Sequence, residues 1–452
     1  MPSFIALILT IIFVVWLLTL EHKGSPHHSW ALWLPVILTL LLGTKSLAGW
    51  FNYSSSSGLL ESPMDRNFII LLTIAGILIL IKRGFNLFQA VQENKLLIFI
   101  AGYMLVSIFW SDILMTSFKR WTREILAPLV MSFILLSENN PREAMLSLLR
   151  RTIYICIPFS LCLIKYFPDY GVQYGQYFGE LMWVGVTTQK NGLGRLCLIA
   201  IYFLFWSLIK RRQERNIPAV KYQTAAEIFL FVLSCYLLKG PSIGAMSATS
   251  VTVLAIALTI FILLLIGNKY KIYPHANILT AVMAVGIIWG VVTLFTSGQA
   301  VGSFTAMLGR DGTLTGRTEI WTQYLPMAMR HPLLGHGFGG FWTVETIELQ
   351  GVNEAHNGYL GILLTLGFVG LIFMALFLLS SCRKAQQMMR ADFYWASLWI
   401  CFLFMAVIHN ISESSLESFS KNMTLMIVFM SVCSSSYNRY LLRDVCHEQI
   451  ET

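Results

Sequence analysis

Solid apolar blocks, each of roughly 15 to 25 residues, alternate with short polar stretches along most of the chain. Blocks of that length predict helices that cross a bilayer, because a helix rises about 1.5 Å per residue and the hydrocarbon core is about 30 Å thick. The period-two alternation of a membrane barrel is missing. The blocks fall near 2–20, 30–48, 67–81, 95–111, 124–137, 146–165, 192–210, 223–239, 243–266, 278–297, 358–381, 394–409 and 419–434. The expected fold is therefore an all-α polytopic membrane protein with about 12–14 transmembrane helices. "MPSFIALILTIIFVVWLL" has no Lys or Arg ahead of its apolar run, so it reads as a retained first span.

Composition agrees with the pattern: 56% of the 452 residues are hydrophobic and 12% are charged, too few charges to cover a soluble core of this size. The net charge of +9 invites a nucleic-acid reading, but the distribution opposes it. The basic clusters "KRGFNLFQAVQENK" (82–95), "KRRQERN" (210–216), "NKYKIYPH" (268–275), "CRKAQQMMRAD" (382–392) and "YNRYLLRD" (437–444) all fall on one side when the spans alternate, as the positive-inside rule requires. That side is the cytoplasm. Segments 50–66, 166–191, 298–357 and 410–418 then lie outside. The eight cysteines occupy spans or cytoplasm-facing segments and form no CxxC, so neither disulfides nor a cysteine zinc site is expected.

One long insertion divides the chain. Residues 1–297 read as an N-terminal transmembrane scaffold, 298–357 as an outer loop, 358–434 as the C-terminal transmembrane helices and 435–452 as a cytoplasmic tail. In the loop, Thr318 can cap a helix whose Ile320, Trp321, Tyr324, Ala328 and Met329 share one face, bent at Pro326 and lying on the membrane surface. "GHGFGG" satisfies GxGxxG, yet no strand precedes it; a tight turn back to the membrane is expected instead of a nucleotide site.

The candidate chemistry lies on the outer side. Lys119, Arg120 and Arg123 in "SFKRWTRE", Lys190 in "TTQKNGLGR", Lys239 in "LLKGPS" and Arg310, Arg317 and Arg330 in the long loop defy the inside bias. Such cations at a membrane edge suit a phosphate or diphosphate, and Arg317 at a helix start adds free backbone N–H groups. Lipid-headgroup contact or snorkelling explains many such residues taken singly. In "EAHNGYL" (354–360), Glu354 and Asn357 flank His356, and a held neutral imidazole can act as a base toward a hydroxyl. The histidines show no HExxH-type spacing, so no metal site is expected.

"GVTTQKNGLGR" (185–195), "GRTEIW" (316–321), "HPLLGHGFGGFW" (331–342) and "EAHNGYL" together resemble the O-antigen ligase and polymerase superfamily, with the nearest likeness to its exopolysaccharide polymerase members. "WSDILMTSFKRWTRE" (110–124) and "NISESSLES" (410–418) extend the resemblance over most of the chain. The resemblance implies a GT-C-like glycosyltransferase of the bacterial inner membrane with one large periplasmic loop. It implies a metal-free transfer of glycan from an undecaprenyl diphosphate-linked oligosaccharide to an acceptor hydroxyl, without a cofactor. The acceptor would be a growing polysaccharide or a lipid A core. A flippase and a chain-length regulator are implied partners besides membrane lipids, and nucleic acid is not. Carried over by motif, His356 is the catalytic base. Arg317, Arg310, Lys190, Asn191, Asn357, Lys239, Arg120 and Arg123 are the substrate-binding candidates. Where relatives carry Ser-Arg-Gly at the start of a middle span, this chain reads "KGPSIGAMSAT" (239–249), so Lys239 is the nearest cation and the polymerase branch is favoured.

Two rival readings have distinct signatures. A transporter of lipid-linked sugars needs ionisable groups near the bilayer midplane and often repeated halves. Here Glu227 is an isolated acidic residue within a span, and no repeat is visible. A lipid-binding scaffold without catalysis would tolerate substitution of His356 and Arg317.

Overall fold

The computed structural model describes residues 2–24, 28–51, 62–175, 179–212, 218–242, 245–275, 277–296, 317–350 and 354–435. A helix stands at each predicted apolar block, and the protein is a multi-pass all-α membrane protein. Among the described residues, seven helices are both long and apolar enough to cross a bilayer, or eight if the pair Leu87–Glu93 and Lys95–Trp110, bent by 99°, is one span. The remaining blocks fall short for local reasons. Trp30–Gly43, Phe393–His409 and Asn422–Ser435 are short, Pro218–Lys239 carries Gln223, Glu227 and Lys239, and Ala127–Leu136 follows a π-helical turn at Thr122–Leu126. One antiparallel hairpin, Val172–Tyr174 paired with Leu181–Trp183, is a small departure from the helix-only expectation.

The chain forms two compact units interleaved in sequence, Met1–Tyr53 with Glu138–Leu263 and Ser54–Ser137 with Leu264–Thr452. In the first, Ser3–Gly24, Trp33–Gly43, Lys190–Arg211 and Pro218–Lys239 gather against the long helix Pro141–Tyr166. Glu227 is not isolated there. Its fully buried carboxylate accepts from Arg211 Nη2 at 3.0 Å, Ser207 Oγ at 3.0 Å and Tyr154 OH at 3.2 Å, with Arg150 Nε 3.4 Å away. Glu21 likewise receives Arg151 Nε at 2.8 Å and the Ser147 hydroxyl. A carboxylate in this medium persists only when cations and donors replace its water. The sequence could not show the pairing, since the partners lie on helices other than the carboxylate's own.

In the same unit Lys45 fastens the turn that leads into Lys190. Its ammonium donates to the carbonyls of Tyr170, Gly185 and Thr187, the last two at 3.0 Å, and its backbone N–H donates to Val186 O. Replacing Lys45 with methionine keeps the stem and removes the donors. Leaving such carbonyls without a partner is expected to cost about 2 kcal/mol, seen as a lower midpoint of thermal unfolding in nanodiscs. An unchanged midpoint would mean that water replaces the ammonium.

In the second unit, Pro63–Lys82 and Asn422–Ser435 pack on Ala127–Leu136, while Lys95–Val106, Ile278–Phe295 and Phe393–His409 pack on Gly358–Met388. That last helix is broken at Gly367, whose φ is +64°. The glycine-rich loop fills the break. Phe368 N and Val369 N donate to the carbonyls of Pro332 and Leu333, and His336 N donates to Leu364 O, at 2.8, 3.1 and 2.9 Å. Tyr103 OH takes the Leu366 carbonyl at 2.9 Å. Inside a membrane the freed backbone groups of a broken helix must find such partners. Gly335 has φ +65°, and a Cβ there would stand 2.5 Å from the Thr365 carbonyl carbon, so a side chain is excluded by both backbone and space. "GHGFGG" is therefore a turn that plugs a helix break.

Candidate functional site

Four stretches of the second unit bring the site together: the start of Arg317–Ala328, residues 354–357, the loop 410–421 and the turn Thr122–Leu126. Asn357 caps Gly358–Met388, its Oδ1 accepting from Tyr359 N at 3.0 Å and Leu360 N at 3.1 Å. Its Nδ2 donates to Ile411 O, and its backbone N–H donates to Ser414 Oγ. Asn410 answers from the facing loop: its Oδ1 accepts from Ser415 N and Leu416 N, and its carbonyl accepts from Gly358 N. These bonds lace residues 354–358 to the 410–416 loop. Asn357 is fully buried, and these bonds use its Oδ1 and one of its two Nδ2 donors to hold the segment in place.

The lacing holds His356 at φ +49°, a left-handed conformation that few non-glycine residues adopt. Its Nδ1 lies 3.2 Å from Glu354 Oε1. The side chain remains about a quarter exposed, open to a reactant. Nδ1 makes no hydrogen bond among the described residues, so Glu354 acts on the ring through its charge and proximity alone.

Thr318 lies inside the helix Arg317–Ala328 and does not cap it. Arg317 Nη2 pairs with Glu413 Oε1 at 2.6 Å, and Nη1 donates to the Ser412 carbonyl. A guanidinium has five N–H donors, so this anchoring leaves others for an incoming anion. Lys421 Nζ lies 3.7 Å from Glu354 Oε2 and 4.0 Å from Glu417 Oε1. The result is a run of alternating charge along one face.

Glu354, His356 and Glu413 each bring one ligand-type atom to within 4.8 Å of the others, a convergence of separate segments that no local spacing reveals. Both carboxylates already have a cation, Lys421 at Glu354 and Arg317 at Glu413, so the cluster is neutralised by the chain itself.

The other candidates take varied places. Arg120 Nη1 donates to the carbonyls of Gly339 and Trp342 at 2.6 and 2.9 Å and latches the glycine-rich loop. Arg123 pairs with Glu124 at 2.5 Å. Lys190 and Asn191 open the helix Lys190–Arg211 and are half-buried, and Lys239 is exposed at the end of Pro218–Lys239; all three belong to the first unit. Arg310 lies outside the described residues. Trp321, on the face expected at the membrane surface, is instead buried, as are Phe341 and Trp342, whose ring centroids lie 5.7 and 5.5 Å from that of Tyr324. The apolar face of the loop helix is satisfied by the loop that follows it. His336 packs between His331 and Phe341, and burial holds its pKa below the usual histidine value.

The sequence reading missed Glu413, Glu417, Lys421 and Asn410. The available signals were the stretch "NISESSLES" (410–418), which holds Asn410, Glu413 and Glu417, and the pair "HN" at 356–357 and again at 409–410.

Residues 229–375 match the O-antigen ligase family model, a stretch that includes Arg317, the glycine-rich loop, Glu354, His356 and the helix break. The chain is 24% identical over 229 residues to the exopolysaccharide production protein ExoQ of Rhizobium meliloti (strain 1021), covering 47% of this chain and 50% of that protein. It thus spans about half the length of the curated relative it matches. Domain match, relative and motifs point the same way: over residues 229–375 the chain is similar to the O-antigen ligase family.

Proposed function

We propose that the protein is an inner-membrane glycosyltransferase that extends exopolysaccharide or O-antigen chains at the periplasmic face. The donor is an undecaprenyl diphosphate-linked oligosaccharide and the acceptor is a sugar hydroxyl of a growing chain. The observation that carries this reading is His356, fixed in a left-handed conformation beside Glu354 within one cluster that also holds the Arg317–Glu413 pair.

The chemistry follows from those groups. His356 Nε2 takes the hydroxyl proton as the acceptor oxygen bonds to the anomeric carbon. The bond from that carbon to the diphosphate oxygen breaks, and undecaprenyl diphosphate leaves with the electron pair. Diphosphate needs no proton to leave, so stabilising its charge matters more, a task suited to Arg317. The departing lipid lies at the membrane edge, where the outer-side cations Arg120 and Arg123 would hold its phosphates. No metal or cofactor enters this scheme, and a flippase and a chain-length regulator would supply the donor and set the product length.

The test is purified protein in nanodiscs with the lipid-linked oligosaccharide, with and without a lipid A core acceptor, in the presence of a chelator. A product ladder and released undecaprenyl diphosphate without core are expected. Transfer only when core is present would make the protein a ligase, dependence on an added divalent cation would overturn the metal-free scheme, and no release under any condition would overturn the reading.

A further inference from the structure

Glu417 has no part in the transfer just described, yet it ends an unbroken chain of charged groups that begins at the base. His356 Nδ1 stands 3.2 Å from one oxygen of Glu354, and the other oxygen stands 3.7 Å from Lys421 Nζ. Lys421 Nζ stands 4.0 Å from Glu417 Oε1. The far oxygen, Oε2, is buried and has no hydrogen-bond partner among the described residues. It abuts Gly361 on the first turn of Gly358–Met388, where a Cβ would collide with it. An ionised carboxylate oxygen in that position is costly, whereas a neutral carboxyl is tolerated.

We propose that Glu417 is a positioning residue that sets the basicity of His356, acting through Lys421 and Glu354. One ammonium serves two carboxylates. While Glu417 is neutral, Lys421 is committed to Glu354 and offsets the negative charge felt by His356. When Glu417 ionises, Lys421 is shared, Glu354 recovers charge, and His356 becomes the stronger base. The charged groups facing Glu417 are Lys421 on its own segment, Glu354 before the helix and Glu124 on the Thr122–Leu126 turn. Burial pushes Glu417 up to about 7; Lys421 works against this, and Glu354 and Glu124 add to it. Arg123 pairs with Glu124 and Arg317 with Glu413, and the cation acting on Glu417 is Lys421. The device would couple the base to ambient pH near neutrality.

The inference rests on the reading of His356 as the base, and its test separates the two. The acid limb of kcat/KM is followed between about pH 5.5 and 9 for wild type, Glu417→Gln, Glu417→Asp and Lys421→Met. In Glu417→Gln the ammonium stays with Glu354, and the midpoint is expected to move down by about half a pH unit or more. Lys421→Met frees Glu354, so the midpoint is expected to move up. Glu417→Asp keeps a titrating carboxyl and should restore the wild-type position. Were Glu417→Gln too unstable to assay, the upward shift in Lys421→Met together with the Asp profile still decides the matter. A lower rate with an unmoved midpoint in both the Gln and Met variants would overturn the inference, since that is what a packing role produces. Wild-type turnover in His356→Ala would instead overturn the reading on which it rests.

Discussion

Replacing His356 with alanine is expected to lower the transfer rate by about 10²–10⁴-fold, the range for loss of a general base, while leaving the protein folded. The fold survives because what holds this segment is not the imidazole. Asn357 N to Ser414 Oγ at 3.1 Å, Gly358 N to Asn410 O at 2.9 Å and the two cap bonds of Asn357 fix the backbone on either side. Alanine at φ +49° bears much the same backbone strain as histidine. The imidazole itself contacts Glu354 and the solvent-facing side of the site. The loss should fall on kcat and kcat/KM together, because a base acts in the transition state and not on ground-state binding. Added free imidazole should restore part of the rate in the alanine variant and none in wild type. Release of undecaprenyl diphosphate, followed with elution volume and melting midpoint as folding controls, checks all of this. Near-wild-type release would remove the base from His356.

The fold was legible because lipid is a demanding solvent. A span must be apolar over a fixed length, so each of the thirteen blocks could be read from the chain and each carries a helix. Breaks inside the blocks were less visible. Gly367 looks like any glycine in a transmembrane helix, and only the bonds from Phe368 and Val369 to the Pro332 and Leu333 carbonyls show why the helix stops there. The site was legible in part. His356 and Arg317 stand at helix starts, where a polar residue before an apolar run draws notice. Glu413, Glu417 and Lys421 stand in a short loop between two spans and look like solvated charges. Their significance comes from what faces them across tens of residues of chain, which spacing does not encode. The same is true of Glu227, whose partners Arg150 and Arg211 lie on two other helices. Asn357 reads from the sequence as a substrate contact next to the base, and the bonds of its amide to the cap and to Ile411, which that spacing does not show, give it a structural part as well.

Substituting Arg317 with alanine is expected to cost about 10²–10³-fold in kcat, comparable to removing a donor aimed at developing negative charge. A structural role alone would also give a loss, because Glu413, only 5% exposed, would lose its cation. Two further variants separate these causes. Arg317→Lys keeps the charge beside Glu413 but replaces a planar fork with a point charge. It should recover most of the stability and little of the rate, as bidentate phosphate recognition is what lysine cannot supply. Exchanging the pair, Arg317→Glu with Glu413→Arg, rebuilds the ion pair with its ends reversed. That protein should melt close to wild type and remain inactive, because the cation then sits on the 410–421 loop and no longer at position 317. If the exchanged protein transfers glycan at near the wild-type rate, Arg317 serves only to hold Glu413. The developing charge of the departing diphosphate must then be met by other cations of the outer face, with Arg123 and Lys421 the first to examine.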